Sequence, residues 1–426
     1  MSQVDRRRFL TRSLGALGAA GAGAGAVALG GGAAAGAASS PDEEVRYRDA
    51  ARLQLDLRIP FDGLHQSGVL TPRQGHATYL ALDSFASGPD QLFEALQAIS
   101  SRTRQLARGT QVGLAPIDEP PPDSGILGPY DTPDSLTVNI SFGASLFDDR
   151  YGLARHRPRR LIAMPRFAHD EYDPARTGGD VLLQIAAGQR DTVAHAVREL
   201  MRQVAGTLTP RWTLDGFTTA PRGPNPASST RNLFAFRDGT ANPRVDDAEL
   251  MNRLVWVGRG GGEPAFAEHG TYVVVRTIRQ RVEFWDRVGM LEQEQIIGRD
   301  RVTGAPLGGS REYQDPDYAS DPKGRRVPLD AHVRLANPRT PETADQRILR
   351  RSFNYNRGVD AAGDIDCGML FTVFNQDPER QFAAIQRRLT DEPMTDYITV
   401  VGGGYFFAPR GARADGDWVG SGLTRA

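Results

Sequence analysis

The chain has 426 residues, 39% of them hydrophobic and 24% charged, with a formal net charge of −1. That balance leaves no basic excess for nucleic acid, and no run of 18 strongly apolar residues occurs, which excludes a multi-span membrane protein. Cys367 is the single cysteine, so an intramolecular disulfide framework, a CxxC redox pair and a multi-cysteine zinc site are excluded too.

The N-terminus reads Arg6-Arg7-Arg8-Phe9-Leu10, then an Ala/Gly/Leu stretch from Leu14 to about Gly32, then the small-residue pattern Ala35-Gly36-Ala37. A charged region, a mildly apolar region and a small-residue cleavage site predict a secretory leader over residues 1–38. Paired arginines before Phe-Leu resemble the twin-arginine type, which exports folded proteins. Asp5 departs from that type, which usually has Ser or Thr there. The expected destination is periplasmic or extracellular, with no integral span once the leader is removed.

After the leader, Gly75 to Phe85 reads as a strand. From Pro89 to Arg108, Leu92, Leu96, Ile99 and Leu106 recur at helical spacing, with Pro89 at the first position and Gly109 as the stop. Leu136, Val138, Ile140 and Phe142 alternate as a half-buried strand does. Val181 to Ala187 is an apolar strand. Asp191 is placed to cap a helix bearing Val193, Val197, Leu200, Met201 and Val204, closed by Gly206. Trp212 to Phe217 is a strand. This β-α-β-β-α-β order over residues 50–217 predicts a ferredoxin-like N-terminal domain.

Residues 218–230 (TTAPRGPNPASST) read as a linker. Beyond it, over residues 231–420, the order recurs. Tyr272 to Ile278 is a strand, and Arg281 to Ile297 is a helix with Phe284, Val288 and Leu291 at helical spacing. Arg350 to Tyr355 and Met369 to Phe374 are strands. A helix near Pro378 carries Phe382, Ile385 and Leu389, and Tyr397 to Val401 is the last strand. The predicted class is α+β: two ferredoxin-like halves, antiparallel sheets with peripheral helices. Long insertions at 218–270 and 298–347 are the expected places for a site.

Three segments there could carry chemistry, and each alone is a weak signal. In RNLFAFRDGTANP (231–243), Asp238-Gly239 is by itself a turn. DAHVRLANPR (330–339) sets His332 among arginines, where a lone histidine is commonly a surface residue. The other six histidines lack metal-ligand spacing. RILRRSFNY (347–355) places Arg350 and Arg351 beside apolar residues.

Read together, the three segments resemble the dye-decolourising peroxidases, haem enzymes with two ferredoxin-like halves, and within them the exported deferrochelatase/peroxidase branch. Pro60 to Pro72 (PFDGLHQSGVLTP) resembles that branch's PFxGxHQxGI-TP segment. SFGASLFDDRYGLA (Ser141 to Ala154), GGDVLLQIAA (Gly178 to Ala187) and GGGYFFAP (Gly402 to Pro409) are similar as well. The resemblance runs from about residue 60 to 410. It implies one haem b per chain, held in the C-terminal half and non-covalently, since no CxxCH is present. His332 would be the proximal iron ligand, with Asp238 and Arg350 as the distal catalytic pair. Gly239, Thr240, Ala241, Asn337, Pro338 and Arg339 would be further haem contacts.

The implied reaction reduces hydrogen peroxide and oxidises small aromatic reductants, phenolic or dye-like, through a ferryl intermediate. The alternative is a haem-binding deferrochelatase that releases iron from haem, with iron-uptake partners. A non-haem ferredoxin-like binding module is the third reading. Two positions depart from the pattern: Ala235 replaces the first glycine of GxxDG, and Leu64 replaces a common glutamate. Trp212, Trp256, Trp285, Trp418 and Tyr405 are candidate electron relays. Cys367 reads as a buried small hydrophobe.

Overall fold

The computed structural model describes residues 52–110, 112–113, 115–220, 222 and 228–424, so the predicted leader lies outside the described residues. The N-terminal half runs β1 (His76–Ser84), α1 (Pro89–Arg108), β2 (Thr137–Gly143), β3 (Val181–Ala187), α2 (Arg190–Gln203) and β4 (Leu208–Phe217). Helix α1 follows its apolar spacing: Leu92, Leu96, Ile99 and Leu106 are all buried. Pro89 opens it, where its missing N–H costs nothing. Gly109 ends it at φ +66, where a Cβ would lie 2.7 Å from Pro133 Cδ and 2.8 Å from the Asp131 carbonyl oxygen, so only glycine fits.

The C-terminal half runs α3 (Ala248–Leu254), β5 (Thr271–Gln280), α4 (Val282–Trp285), α5 (Met290–Ile297), α6 (His332–Ala336), β6 (Leu349–Arg350), β7 (Phe353–Val359), β8 (Ile365–Asn375), α7 (Ala384–Arg388) and β9 (Ile398–Ala408). Among the described residues nine strands pair in the order β5-β9-β2-β3-β1-β4-β7-β8-β6, and β5 also pairs β8. Within that order β2-β3-β1-β4 and β9-β5-β8-β7 repeat one ferredoxin-like arrangement. Outer strands of the two halves also pair antiparallel, Phe142 opposite Phe407 and Phe217 opposite Asn354, which leaves fewer open edges.

Strands between two apolar layers bury both faces. Along β1, Leu80 and Leu82 join the core beneath α1 and α2, while Tyr79 and Ala81 join a second core. That second core includes Val273, Val275, Phe353 and Leu370 from the C-terminal half. Gln66 adds a polar clamp. Its amide exchanges 2.8 Å hydrogen bonds with both backbone groups of Ile140 and donates at 2.9 Å to the Pro409 carbonyl.

Three local expectations are corrected. The single helix over 281–297 is two, α4 and α5, interrupted at Asp286–Gly289. Phe284 and Leu291 are exposed, and Trp285, Ile296 and Ile297 form the buried face instead. Asp191 is not the cap of α2, because Gln189 occupies that position and its N–H donates to Asp134 at 2.7 Å. Asp134 is distant in sequence, so local capping rules could not identify it. The strand over 350–355 is divided into β6 and β7 at Arg351 and Ser352, although the Arg351 N–H still donates to the Thr372 carbonyl of β8 at 2.8 Å.

Candidate active site

His332 opens the short helix α6, its side chain one-quarter exposed. Nδ1 lies 2.6 Å from Oε2 of Glu392, whose side chain is only 3% exposed. An ionised carboxylate can only accept, so the imidazole proton sits on Nδ1. The Nε2 lone pair is then left for a ligand, and Nε2 has no hydrogen-bond partner among the described residues.

Asp238 sits across the cavity in the loop before α3. Its Oδ1 is 2.9 Å from Arg350 Nη1. Arg73, from the N-terminal half, approaches Oδ2 at 3.8 Å. Arg73 also donates to Thr230 Oγ1 at 2.6 Å and to the Ser352 carbonyl at 2.8 Å. Asn242 brackets the Arg350 backbone, donating to its carbonyl at 2.8 Å and accepting from its N–H. The Asp238–Arg350 pair is thus positioned by main-chain contacts as well as by its own ion pair.

Ala235 has φ +68, so the backbone where the motif glycine stands does require the left-handed region. Asn232 holds this turn: its carbonyl accepts from Ala235 N–H and its Oδ1 from Phe236 N–H, at 3.0 and 3.1 Å. Phe234 and Phe236, on either side, pack against the fully buried Trp285, with ring centroids 4.4 and 6.1 Å away.

Two adjoining cavities meet here, sharing Ala241, Arg299, His332, Val333, Arg350 and Phe371 as walls. Ile348, Ile385 and Leu389 add apolar wall on one side, and Phe234, Met369 and Met394 on the other. Arg299, Arg339 and Arg347 stand at the wall as well. Arg347 has no ion-pair partner among the described residues, and burial lowers its guanidinium pKa. A cavity with apolar walls, an imidazole with a free lone pair and a half-buried arginine in no close ion pair fits a carboxylate-bearing metal macrocycle.

Asp238, Thr240, Ala241, His332, Asn337, Arg339 and Arg350 all border this space. Gly239 and Pro338 do not line it. Gly239 serves the turn at φ +99, with Arg73 and Asn242 each 3.7 Å from where a Cβ would stand. Sequence reasoning missed Glu392, Arg73, Asn242 and Arg347. Of these, Asn242 and Arg347 lay inside quoted segments, whereas Glu392 and Arg73 carry no local signal. Among the relay candidates, Trp285 touches the wall residue Phe234 directly. Tyr405 reaches the wall residue Phe371 only through Phe382. Trp256 stacks on His65 at 3.7 Å, Trp418 packs on Phe93, and Trp212 donates to the Gly178 carbonyl.

Fold and cavity together define a duplicated ferredoxin-like protein with a histidine-ligand pocket. Comparison with known proteins specifies the family. Residues 66–218 match the model for the Dyp-type peroxidase N-terminal domain and residues 229–413 that for the C-terminal domain. The chain therefore belongs to the Dyp-type peroxidase family, whose cofactor is haem. It is 44% identical over 368 residues to the deferrochelatase of Escherichia coli K12, covering 86% of this chain and 87% of that one. A Yersinia pestis deferrochelatase is 42% identical over the same length, covering 86% and 85%. Among solved structures, a DyP-type peroxidase from Cellulomonas bogoriensis is 33% identical at TM-score 0.78, covering 88% of this chain and 99% of that one. Ferric DtpA from Streptomyces lividans is 33% identical at TM-score 0.77, covering 86% and 97%.

Proposed function

We propose that the protein is a haem b peroxidase that reduces hydrogen peroxide at the expense of small aromatic donors. The observation carrying this reading is one largely apolar cavity lined both by the Glu392-bound imidazole of His332 and by the Asp238–Arg350 ion pair. Haem bound there supplies the iron that takes up peroxide and accepts its oxidising equivalents. His332 would hold the iron through Nε2, and Glu392, by accepting from Nδ1, raises the donor strength of the ring. Arg347 and Arg339 would meet carboxylates of the macrocycle. Asp238 takes a proton from peroxide and returns it to the departing oxygen. Arg350, paired with Asp238 at 2.9 Å, opposes the negative charge that builds as the O–O bond lengthens.

Stopped-flow mixing of the haem-loaded protein with stoichiometric peroxide tests this. A fast change in the haem spectrum followed by donor turnover is expected, and neither appearing rejects the reading. Arg350→Leu should retain haem and slow the peroxide step by about 100-fold; a wild-type rate would show that the arginine is misassigned. His332→Ala should lose haem or its axial ligation.

A second reading, iron release from haem, is favoured by the name of the curated relatives. Recovery of metal-free porphyrin and free iron from the loaded protein under reducing conditions would support it. Residues 50–217 and 231–420 are proposed as the two domains. Residues 1–38 are proposed as a twin-arginine leader directing the protein to the periplasm or outside the cell; the paired arginines before Phe9-Leu10 support this. Among the described residues no helix is long and apolar enough to cross a membrane.

A further inference from the structure

Reducing peroxide to two waters consumes two electrons and two protons. A donor oxidised at the protein surface gives its electron inward and its proton to solvent, so both protons must enter the cavity by another route. Asp238 is poorly placed to fetch them. Its carboxylate faces the guanidiniums of Arg350 and Arg73, and neither gives up a proton at working pH.

We propose that Glu312 is a second proton-carrying carboxyl of this site, passing protons from solvent to the cavity through the hydroxyls of Ser229 and Thr240. The inference rests on the haem-peroxidase reading above. Glu312 is 7% exposed. Its Oε1 accepts from Ser229 N–H at 2.9 Å and from Thr240 Oγ1 at 3.2 Å. Thr240 lines the cavity alongside Asp238 and His332. On the solvent side, Ser229 Oγ lies 3.2 Å from the hydroxyl of Tyr313, which is 55% exposed. Ser229 Oγ and Thr240 Oγ1 are 3.4 Å apart, so one chain of hydroxyls and a carboxyl joins surface to cavity.

The surroundings of Glu312 differ from those of a purely structural carboxylate. Asp62 shows that alternative: both its oxygens take short bonds, 2.7 to 3.0 Å, from one guanidinium, that of Arg104. Glu312 instead leaves Oε2 buried with no hydrogen-bond partner among the described residues, and Arg237 Nε, also unpartnered, stands 3.9 Å from it. Arg231 and Arg299 are the other cations facing it, Arg299 by donating to its backbone carbonyl at 2.9 Å. Burial pushes the Glu312 carboxyl up, but donors from Ser229 and Ser228 together with Arg237 hold it below the ordinary range. It therefore releases a proton readily once it has received one. In each cycle solvent protonates Glu312 through the hydroxyls of Tyr313, Ser229 and Thr240 in turn. Glu312 then passes that proton through Thr240 into the cavity and returns to carboxylate.

Glu312→Gln keeps an acceptor at Oε1 but cannot carry a proton, and Ser229→Ala removes the hydroxyl while leaving its backbone donor. Both would be prepared as haem-loaded protein. Proton uptake accompanying fluoride binding, read with an indicator dye in weak buffer, is the readout that does not depend on turnover. E312Q and S229A should hold haem and bind fluoride to the wild-type extent. Both should take up the proton, and turn over peroxide, at least about tenfold more slowly. If uptake and turnover in E312Q match wild type, Glu312 is only an anchor and the inference is overturned while the peroxidase reading stands. If the wild-type protein holds no haem or ignores peroxide, the reading fails and this inference with it.

Discussion

Oε2 of the buried Glu392 lies 2.6 Å from Nδ1 of His332, sixty positions earlier in the chain, and this single contact decides which ring nitrogen is available to a metal. Glu392→Gln should preserve an oxygen acceptor for Nδ1–H while removing its charge, making the imidazole a weaker donor. Haem should still bind, but with affinity reduced about 10- to 100-fold. Haem loss to an excess of scavenger measures this, and an unchanged off-rate would mean that Glu392 does not tune the ligand.

Arg73 reaches Asp238 from the other half of the molecule. Arg73→Met should remove its hydrogen bonds to Thr230, Ser352 and the Asp238 carbonyl, together with the weaker 3.8 Å approach to Oδ2. A loss of about 2 kcal/mol in unfolding free energy is expected, with slower reaction with peroxide and haem content retained. Denaturant unfolding and rapid mixing on the same variant check both. Unchanged values in both would leave Arg73 as an idle surface contact.

Ala235 occupies a glycine conformation, at φ +68. Ala235→Gly should relieve about 1–2 kcal/mol of left-handed strain while losing about 0.4–1 kcal/mol through a more flexible unfolded chain. The expected outcome is a net gain of between about 0 and 1.6 kcal/mol with the peroxide step intact. A lower denaturation midpoint for the glycine variant would contradict it.

Cys367 is buried, and desolvation pushes its thiol up to about 11. Alkylation needs the thiolate, so a raised value leaves the native thiol protonated and inert at pH 8, with reactivity rising only as pH approaches 11. Iodoacetamide should leave Cys367 unmodified in the folded protein and modify it fully in denaturant, read by intact mass. Rapid labelling of the native state would mean that the strand pair around it opens.

The ferredoxin-like repeat was legible because it depends on local periodicity. α1 and β3 lie where the spacing of Leu92, Leu96, Ile99 and Leu106 and the run from Val181 to Ala187 place them. Periodicity failed at 281–297, where Phe284 and Leu291 keep helical spacing yet face solvent. An apolar pattern states that a face can be buried, and only the packing partner decides which one is. The site divided in the same way. His332, Asp238 and Arg350 could be named because short motifs carry them.

What the sequence by itself determined is the composition class and the duplicated element order; a family resemblance then named His332, Asp238 and Arg350 as candidates. What only the tertiary structure decided is how they are completed: Glu392 behind the histidine, Arg73 across the seam, Glu312 beneath Thr240, and outer strands joined between the halves. Each of those contacts joins residues far apart in the chain through a hydrogen bond or an ion pair. Such contacts impose no spacing on the sequence; they exist only once the backbone has closed around them.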